Sequence, residues 1–371
     1  MKRLLLLTAL CCGQATSVGL IDPEDGMLDM SHNLEDKPYG FLPIPVVITE
    51  PAIGYGGGLF GLFLHGKGTQ ANGRFIPPAM TAFGGGGTEN GTWFVGGGHR
   101  RTWQEDHIRY LIAGGYADIN LDIYSGDVAG FSRNKAINTE TQGYGGMHKL
   151  LFRVGDSPVF LGASQSWSKA DIAAKNNPVI DRVWQRVLGD DSTSSSLGVV
   201  AEYDTTDNFF WPGQGVSLSG EYQFYGHFLG GDYRYDLLTL DGKVFLPLNP
   251  TWTLSLAGNY QMLSQQDQHL PPMARPYIKL RGISSYRYQG EDVSTVQAQL
   301  GWQVTPRWVV QGFVGAGSAE DHASDLYTSA EVAWGTGFRY LIARQYGLHT
   351  GVDVAFSDHE QAVYFNVGSG L

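Results

Sequence analysis

The feature that most restricts this chain is a period-two alternation that recurs through its second half. In TWTLSLAGNYQML, Trp252, Leu254, Leu256, Tyr260 and Met262 share one face, and Thr253, Ser255, Asn259 and Gln261 share the other. In GVSLSGEYQFY, Val216, Leu218, Tyr222 and Phe224 oppose Ser217, Ser219, Glu221 and Gln223. In VSTVQAQLGWQV, Val296, Ala298, Leu300 and Trp302 oppose Gln297, Gln299 and Gln303. In YGLHTGVDVAF, Leu348, Val352, Val354 and Phe356 oppose His349, Gly351, Asp353 and Ala355. Successive side chains of a strand point to opposite faces, so each segment is a strand with one apolar face and one polar, partly charged face.

Two architectures alternate in this way: a soluble β-sandwich and a membrane β-barrel. Trp and Tyr near the strand ends suit an interfacial girdle, which only the barrel needs. Charged residues make up 16% of the chain, against a usual ~25%, and the strand-rich part lacks the Lys and Glu that coat a soluble exterior. Gly, at 51 of 371 residues, is roughly twice its usual share. No apolar run of about 18 residues follows the N-terminal segment, and the best candidate, 41–64, is broken by Pro43, Pro45, Glu50 and Pro51. A helical membrane protein is excluded. The expected fold is all-β: a 16-stranded antiparallel transmembrane β-barrel.

The start, MKRLLLLTALCCGQATS, has basic Lys2 and Arg3, an apolar stretch from Leu4 to Cys12, and small residues at Ala15 and Ser17. It reads as a secretory signal peptide, residues 1–17. Both cysteines, Cys11 and Cys12, fall inside it. The mature chain is therefore expected to carry no disulfide and no thiolate metal site. Net charge is −11 with no basic block, which argues against a nucleic-acid partner.

Residues 18–50 read as a periplasmic lead segment and 51–371 as the barrel. Sixteen strands are expected near 51–64, 75–86, 91–101, 107–117, 120–125, 137–152, 157–170, 193–205, 213–227, 232–247, 251–264, 292–304, 307–317, 328–341, 345–356 and 361–369. With the first strand rising from the periplasm, the odd-numbered connections are the long extracellular ones: 126–135, 171–192, 265–291 and 318–325. The even-numbered ones, GTEN (87–90), LNP (248–250), TPR (305–307) and ARQ (343–345), are short. NNPVIDRVWQRVLGDD, within the connection 171–192, has a helical face and an Asn-Pro start, so a short extracellular helix is expected there.

Three motifs invite chemistry and fail on context. GYGGGLFGL lacks the Lys-Ser/Thr of a phosphate loop and precedes no helix; its glycines suit a bending sheet. YDTTDNFFWPGQG, counted as a calcium loop from Asp204, has Phe209 and Gly215 where Gly and Glu are needed, and reads instead as a wide turn capped by Asp and Asn. The ten His show no ligand spacing and no Gly-x-Ser-x-Gly elbow occurs. No enzyme activity, metal or cofactor is expected. The polar strand faces carry Glu221, Asp241, Lys243, Glu331, Arg339 and Asp353, which in a barrel point into the lumen, either neutralising one another or cradling an inserted cationic loop.

The stretch KLRGISSYRYQG, 279–290, is a cationic loop between two alternating strands, open to surface decoration, an anion site or a plug reaching into the lumen. Together with EDVSTVQAQLGWQVTPRWVVQGFVGAG it resembles the C-terminal part of the BamA/TamA superfamily of outer-membrane barrels, also called the bacterial surface antigen family. YDTTDNFFWPGQG resembles the family's Asp-x-x-Asp-Asn…Pro-x-x-Gly segment, and AVYFNVGSGL its closing strand. The resemblance covers about residues 200–371 well and the first strands more loosely. It implies sixteen strands and a long sixth extracellular loop, here 265–291, whose tip Arg281, Gly282 and Ile283 folds back to plug the lumen at the twelfth to fourteenth strands. Ile283 stands where the family has an aromatic, the wall positions are Gln299 and Gly315, and the chain ends on Leu371 where an aromatic is usual. The candidate partners of Arg281 are accordingly Glu221, Gln299, Glu331 and Asp353. About 33 residues precede the first expected strand, too few for a periplasmic POTRA domain, so the chain reads as a barrel-only member.

The resemblance implies a place in the Gram-negative outer membrane and a role in its biogenesis or in protein or lipid translocation. The implied partners are outer-membrane lipid and lipopolysaccharide, the barrel-insertion machinery for its own assembly, and a periplasmic partner that supplies substrate. A passive solute-selective pore is the alternative, and a lipid-modifying barrel enzyme a lesser one.

Overall fold

The computed structural model describes residues 20–31, 34, 40–49, 53–71, 74–123, 137–175, 192–267 and 269–371. The expected signal peptide, the expected helix in NNPVIDRVWQRVLGDD and the loop 126–135 lie outside them. The strands in chain order are β1 (Gly40–Ile48), β2 (Gly56–His65), β3 (Thr69–Ala71), β4 (Arg74–Ile76), β5 (Ala79–Thr88), β6 (Trp93–Trp103), β7 (Ile108–Ile123), β8 (Ile137–Arg153) and β9 (Val159–Ala174). They continue as β10 (Ser192–Asp204), β11 (Gly215–Tyr225), β12 (Tyr235–Asn249), β13 (Trp252–Gln265), β14 (Asp292–Gln303), β15 (Trp308–Glu320), β16 (Glu331–Ala343), β17 (Leu348–Ser357) and β18 (Gln361–Val367). β3 and β4 form a small hairpin, and the other sixteen make one antiparallel sheet in sequence order.

The number of sheet strands is as expected, but two of its members are not. β1 lies inside the expected lead segment, so the barrel begins at Gly40 rather than at 51. Its sequence, GFLPIPVVI, carries two prolines, which normally argue against a sheet strand. The expected strands 107–117 and 120–125 are one, β7, which runs unbroken through Gly114-Gly115 and Asp118. The two errors cancel in the count but reverse the first strands. The turn GTEN therefore lies at the same end as the long connection 266–291, and the connection 66–78, which carries β3 and β4, lies at the opposite, turn end.

Burial is inverted relative to a soluble protein. Val199 and Trp334 are 58% and 56% exposed on the outer face, while Arg339 and Asp353 are fully buried inside. A water-soluble fold does the reverse; a barrel whose outside meets hydrocarbon does this. Aromatic pairs ring both ends of the outer face. Trp252–Trp302 and Trp308–Tyr340 sit at the turn end, and Trp93–Tyr116 and Trp334–Phe356 at the other.

Glycines pair in register across the wall, Gly84 with Gly96, Gly96 with Gly115, and Gly115 with Gly145. A Cβ at Gly84 would sit 2.3 Å from the Leu59 carbonyl oxygen, and one at Gly145 would sit 2.7 Å from that of Trp167. Those approaches let the sheet bend tightly.

Every neighbouring pair in the sheet is joined by a backbone ladder, but among the described residues no ladder joins β1 to β18. Among the described residues, the Thr49 side chain bridges this seam. The Thr49 hydroxyl donates to the Val363 carbonyl and accepts from the Val363 N–H, both at 2.6 Å. Pro43 and Pro45, two residues apart, remove two backbone donors from the same edge of β1.

Candidate functional site

The connection between β13 and β14 turns back into the barrel. Tyr277 and Gln289 form an antiparallel bridge, the Tyr277 and Tyr286 rings lie 4.3 Å apart, and Ile278, Leu280 and Ile283 pack with Val293 and Ala333. This small core holds the loop's own shape and presents Arg281 at its tip.

Arg281 Nη1 donates to Asp353 Oδ2 at 2.8 Å, and Nη2 donates to Gln299 Oε1 at 3.0 Å. Its guanidinium lies 3.6 Å from the centre of the Phe313 ring. Asp353 is a hub. Arg339 grips it with two nitrogens at 2.7 and 2.8 Å, and Gln311 and Asn366 donate to it at 3.1 and 2.7 Å. A buried carboxylate between two guanidiniums is tolerable only when its lone pairs are filled, and here they are.

Gly282 makes the turn with φ +93, a backbone conformation that favours glycine, and an added Cβ would sit 3.1 Å from Phe356 N and 3.2 Å from Ala355 Cβ. Its N–H donates to the Tyr364 hydroxyl at 2.9 Å, and its carbonyl accepts from Ser357 Oγ at 2.8 Å. Beyond the tip, Glu360 accepts from Ser284 N and Oγ and from Arg287 Nη1.

Of the candidate partners, Asp353 and Gln299 meet Arg281; Glu221 and Glu331 do not. Glu221 belongs to a second lumenal network toward the turn end, where it accepts from Ser164 Oγ at 2.6 Å beside Lys149, with Arg109, Asp106 and Arg153 close by. Glu331 faces Tyr288. Contacts of the tip also reach β17 and β18, beyond the twelfth to fourteenth strands expected. The roles of Gln311, Ser357, Glu360, Tyr364 and Asn366 were not legible in the sequence. The only signal for Glu360 is an acidic turn, SDHE, opposite a loop rich in Arg and Tyr.

A third ionic cluster lies at the turn end. Arg307, in the β14–β15 turn, bonds Asp25 and Asp29 at 2.6 Å and also Asp22. Arg344, after β16, bonds Asp25 at 2.6 Å, Asp22 at 3.0 Å and Glu24. Tyr340 donates to the Leu28 carbonyl, and Leu34 is buried against Tyr346 and Leu348. The lead segment is thus fastened across two turns. The hydrogen bond from Arg307 pulls the Asp25 carboxyl down to about 2. Burial alone would raise Asp29, but hydrogen bonds from Ser31 and Arg307 outweigh it and leave it below its ordinary value. The capped turn 203–215 has the expected form: Asp207 Oδ1 accepts from Gly213 and Gln214 N–H, and Asn208 Oδ1 from Phe210 and Trp211 N–H.

The Omp85 superfamily domain matches residues 117–278. The fold is similar to BamA from Haemophilus ducreyi lacking POTRA domains 1–3, with a TM-score of 0.58 at 11% identity over 89% of this chain and 70% of that one. It is also similar to CdiB from Acinetobacter baumannii, with a TM-score of 0.54 at 11% identity over 89% of this chain and 60% of that one. An Omp85 superfamily domain thus spans residues 117–278 of this chain. No curated protein matches the sequence. At this identity the two structures speak for the fold alone, and a barrel of sixteen antiparallel strands is what this chain forms.

Proposed function

We propose that this Omp85 barrel works in outer-membrane biogenesis or in protein or lipid translocation, with its wall parting between β1 and β18 while the Arg281 loop occupies the lumen. The observation that carries this is the seam. Among the described residues, fifteen strand pairs are laddered and this one is bridged by the Thr49 hydroxyl, so it is the cheapest place for the wall to open. A route through the wall gives access to the bilayer without removing the loop. A passive pore would need the space that Arg281 and its partners fill, which makes it the weaker reading. A lipid-modifying enzyme would show phospholipid or lipid A turnover in detergent.

Outer-membrane lipid and lipopolysaccharide would surround such a barrel, the cell's insertion machinery would assemble it, and a periplasmic partner would hand over its substrate. The test is a Cys pair at Thr49 and Val363. Oxidation should lock the seam and abolish whatever envelope phenotype the intact gene restores, and reduction should return it. Full restoration by the locked barrel would sink the gating idea.

A further inference from the structure

A cavity of about 750 Å³ lies in the lumen between the wall of β6–β9 and the long connection's residues Pro271, Met273 and Ala274. Its size is that of a small-molecule site. Phe94, Met147, Tyr235 and Met273 give it an apolar surface, unlike the ionic lumen around Asp353. Thr141 lines it, is 4% exposed, and its hydroxyl has no hydrogen-bond partner. Of the hydroxyls nearby, Ser166 and Ser196 bond each other at 2.6 Å and Thr139 donates to the Leu121 carbonyl at 2.8 Å, while Ser195, which does not line the cavity, is also unpaired. A buried hydroxyl left unpaired on a cavity wall costs free energy until something fills the site.

The wall also limits the occupant. β6 to β9 are laddered in continuous register past the cavity, through Gly96–Gly115 and Gly115–Gly145 and on to Gly145–Ser168. Their backbone N–H and C=O groups are therefore used within the sheet, and a peptide strand would bury its own without partners. An alkyl chain has none to satisfy. We propose that this cavity binds the alkyl chain of a lipid, with the oxygen-bearing end of the ligand hydrogen-bonded to the Thr141 hydroxyl. The source is a membrane phospholipid or a free fatty acid; both share this chemistry. The inference is independent of whether the seam opens.

The test is native mass spectrometry of the full chain, released from detergent after incubation with palmitate or with a palmitoyl-oleoyl phosphatidylethanolamine. The wild type should retain one ligand. Thr141→Val keeps the shape and should lower retention about three- to tenfold, the worth of one hydrogen bond. Ala274→Trp, on a residue outside every ladder, should fill the cavity and abolish retention. Retention of palmitate alone would identify a free fatty acid as the source, and retention of both a lipid chain generally. Equal retention by wild type and Thr141→Val, no retention of either lipid by the wild type, or retention of an apolar peptide in their place would overturn the proposal.

Discussion

Arg281 and Asp353, 72 residues apart in the chain, meet at 2.8 Å inside the barrel. The contact ties the tip of an inserted loop to the fifteenth strand of the sheet, and Asp353 is held from the wall side by Arg339 at the same time. The two ends of this contact are not equivalent. Arg281 can be lost and Asp353 keeps a bidentate partner. If Asp353 is lost, two buried cations face each other.

Removal of the two partners should therefore differ in cost. Asp353→Ala should destabilise the barrel by about 3–5 kcal/mol, the range for an uncompensated buried charge. Arg281→Ala should cost about 1–3 kcal/mol, since Asp353 stays paired. The temperature at which the folded band disappears from unboiled gels reads both. An Arg281→Ala variant with wild-type heat resistance would remove the loop's main anchor from the account.

Gly282→Ala tests the turn itself. Its φ of +93 and the 3.1 Å approach to Phe356 N leave no room for a methyl group without movement. The expected cost is about 1–3 kcal/mol, with faster proteolysis within 275–290. Tyr364→Phe, which removes the hydroxyl that accepts from Gly282 N–H, should cost less, about 1 kcal/mol.

The lead segment should come free in acid and not before. Asp25 is held at about 2 and Asp29 below its ordinary value, against ~3.9 for an unperturbed aspartate. Groups with depressed values stabilise the docked state fully above the unperturbed value and lose that contribution as pH falls through the folded one. A spin label at Met27 should stay immobile at neutral pH and gain mobility between about pH 4 and about pH 2. Release near neutral pH would mean that the acidic cluster does not hold the segment.

Arg307→Ala should free the same segment at neutral pH. It removes the shared partner of Asp22, Asp25 and Asp29 and leaves Arg344, which is 34% exposed, to hold three carboxylates. Label mobility at Met27 should rise while the barrel's heat resistance changes little. An unchanged label would show that the apolar contacts of Leu34 suffice.

What could be read in the chain and what could not follow physical lines. Strands β8 to β18 show themselves because one face meets lipid and the other the lumen, which writes an alternation into the sequence. β1 hides because Pro43 and Pro45 mark an edge, and in a closed barrel the edge is the seam. β7 is split in the sequence because Asp118, a residue depleted in strands and common in turns, falls in its middle. Arg281 and Gly282 stand out as a charged residue and a turn former in one loop. Asp353 was one of several lumenal carboxylates, and only the register of β16 with β17, which places Arg339 opposite Gly351, brings it within reach of both arginines. The pairing of Arg307 with Asp22, Asp25 and Asp29 spans most of the chain and leaves no local pattern.

The most direct test of the central claim is single-channel conductance of the intact protein in a planar bilayer, alongside a variant lacking 275–290. A barrel occluded by its Arg281 loop predicts small, erratic conductance that becomes large when the loop is removed. A large, stable conductance in the intact protein, unchanged by the deletion, would contradict it.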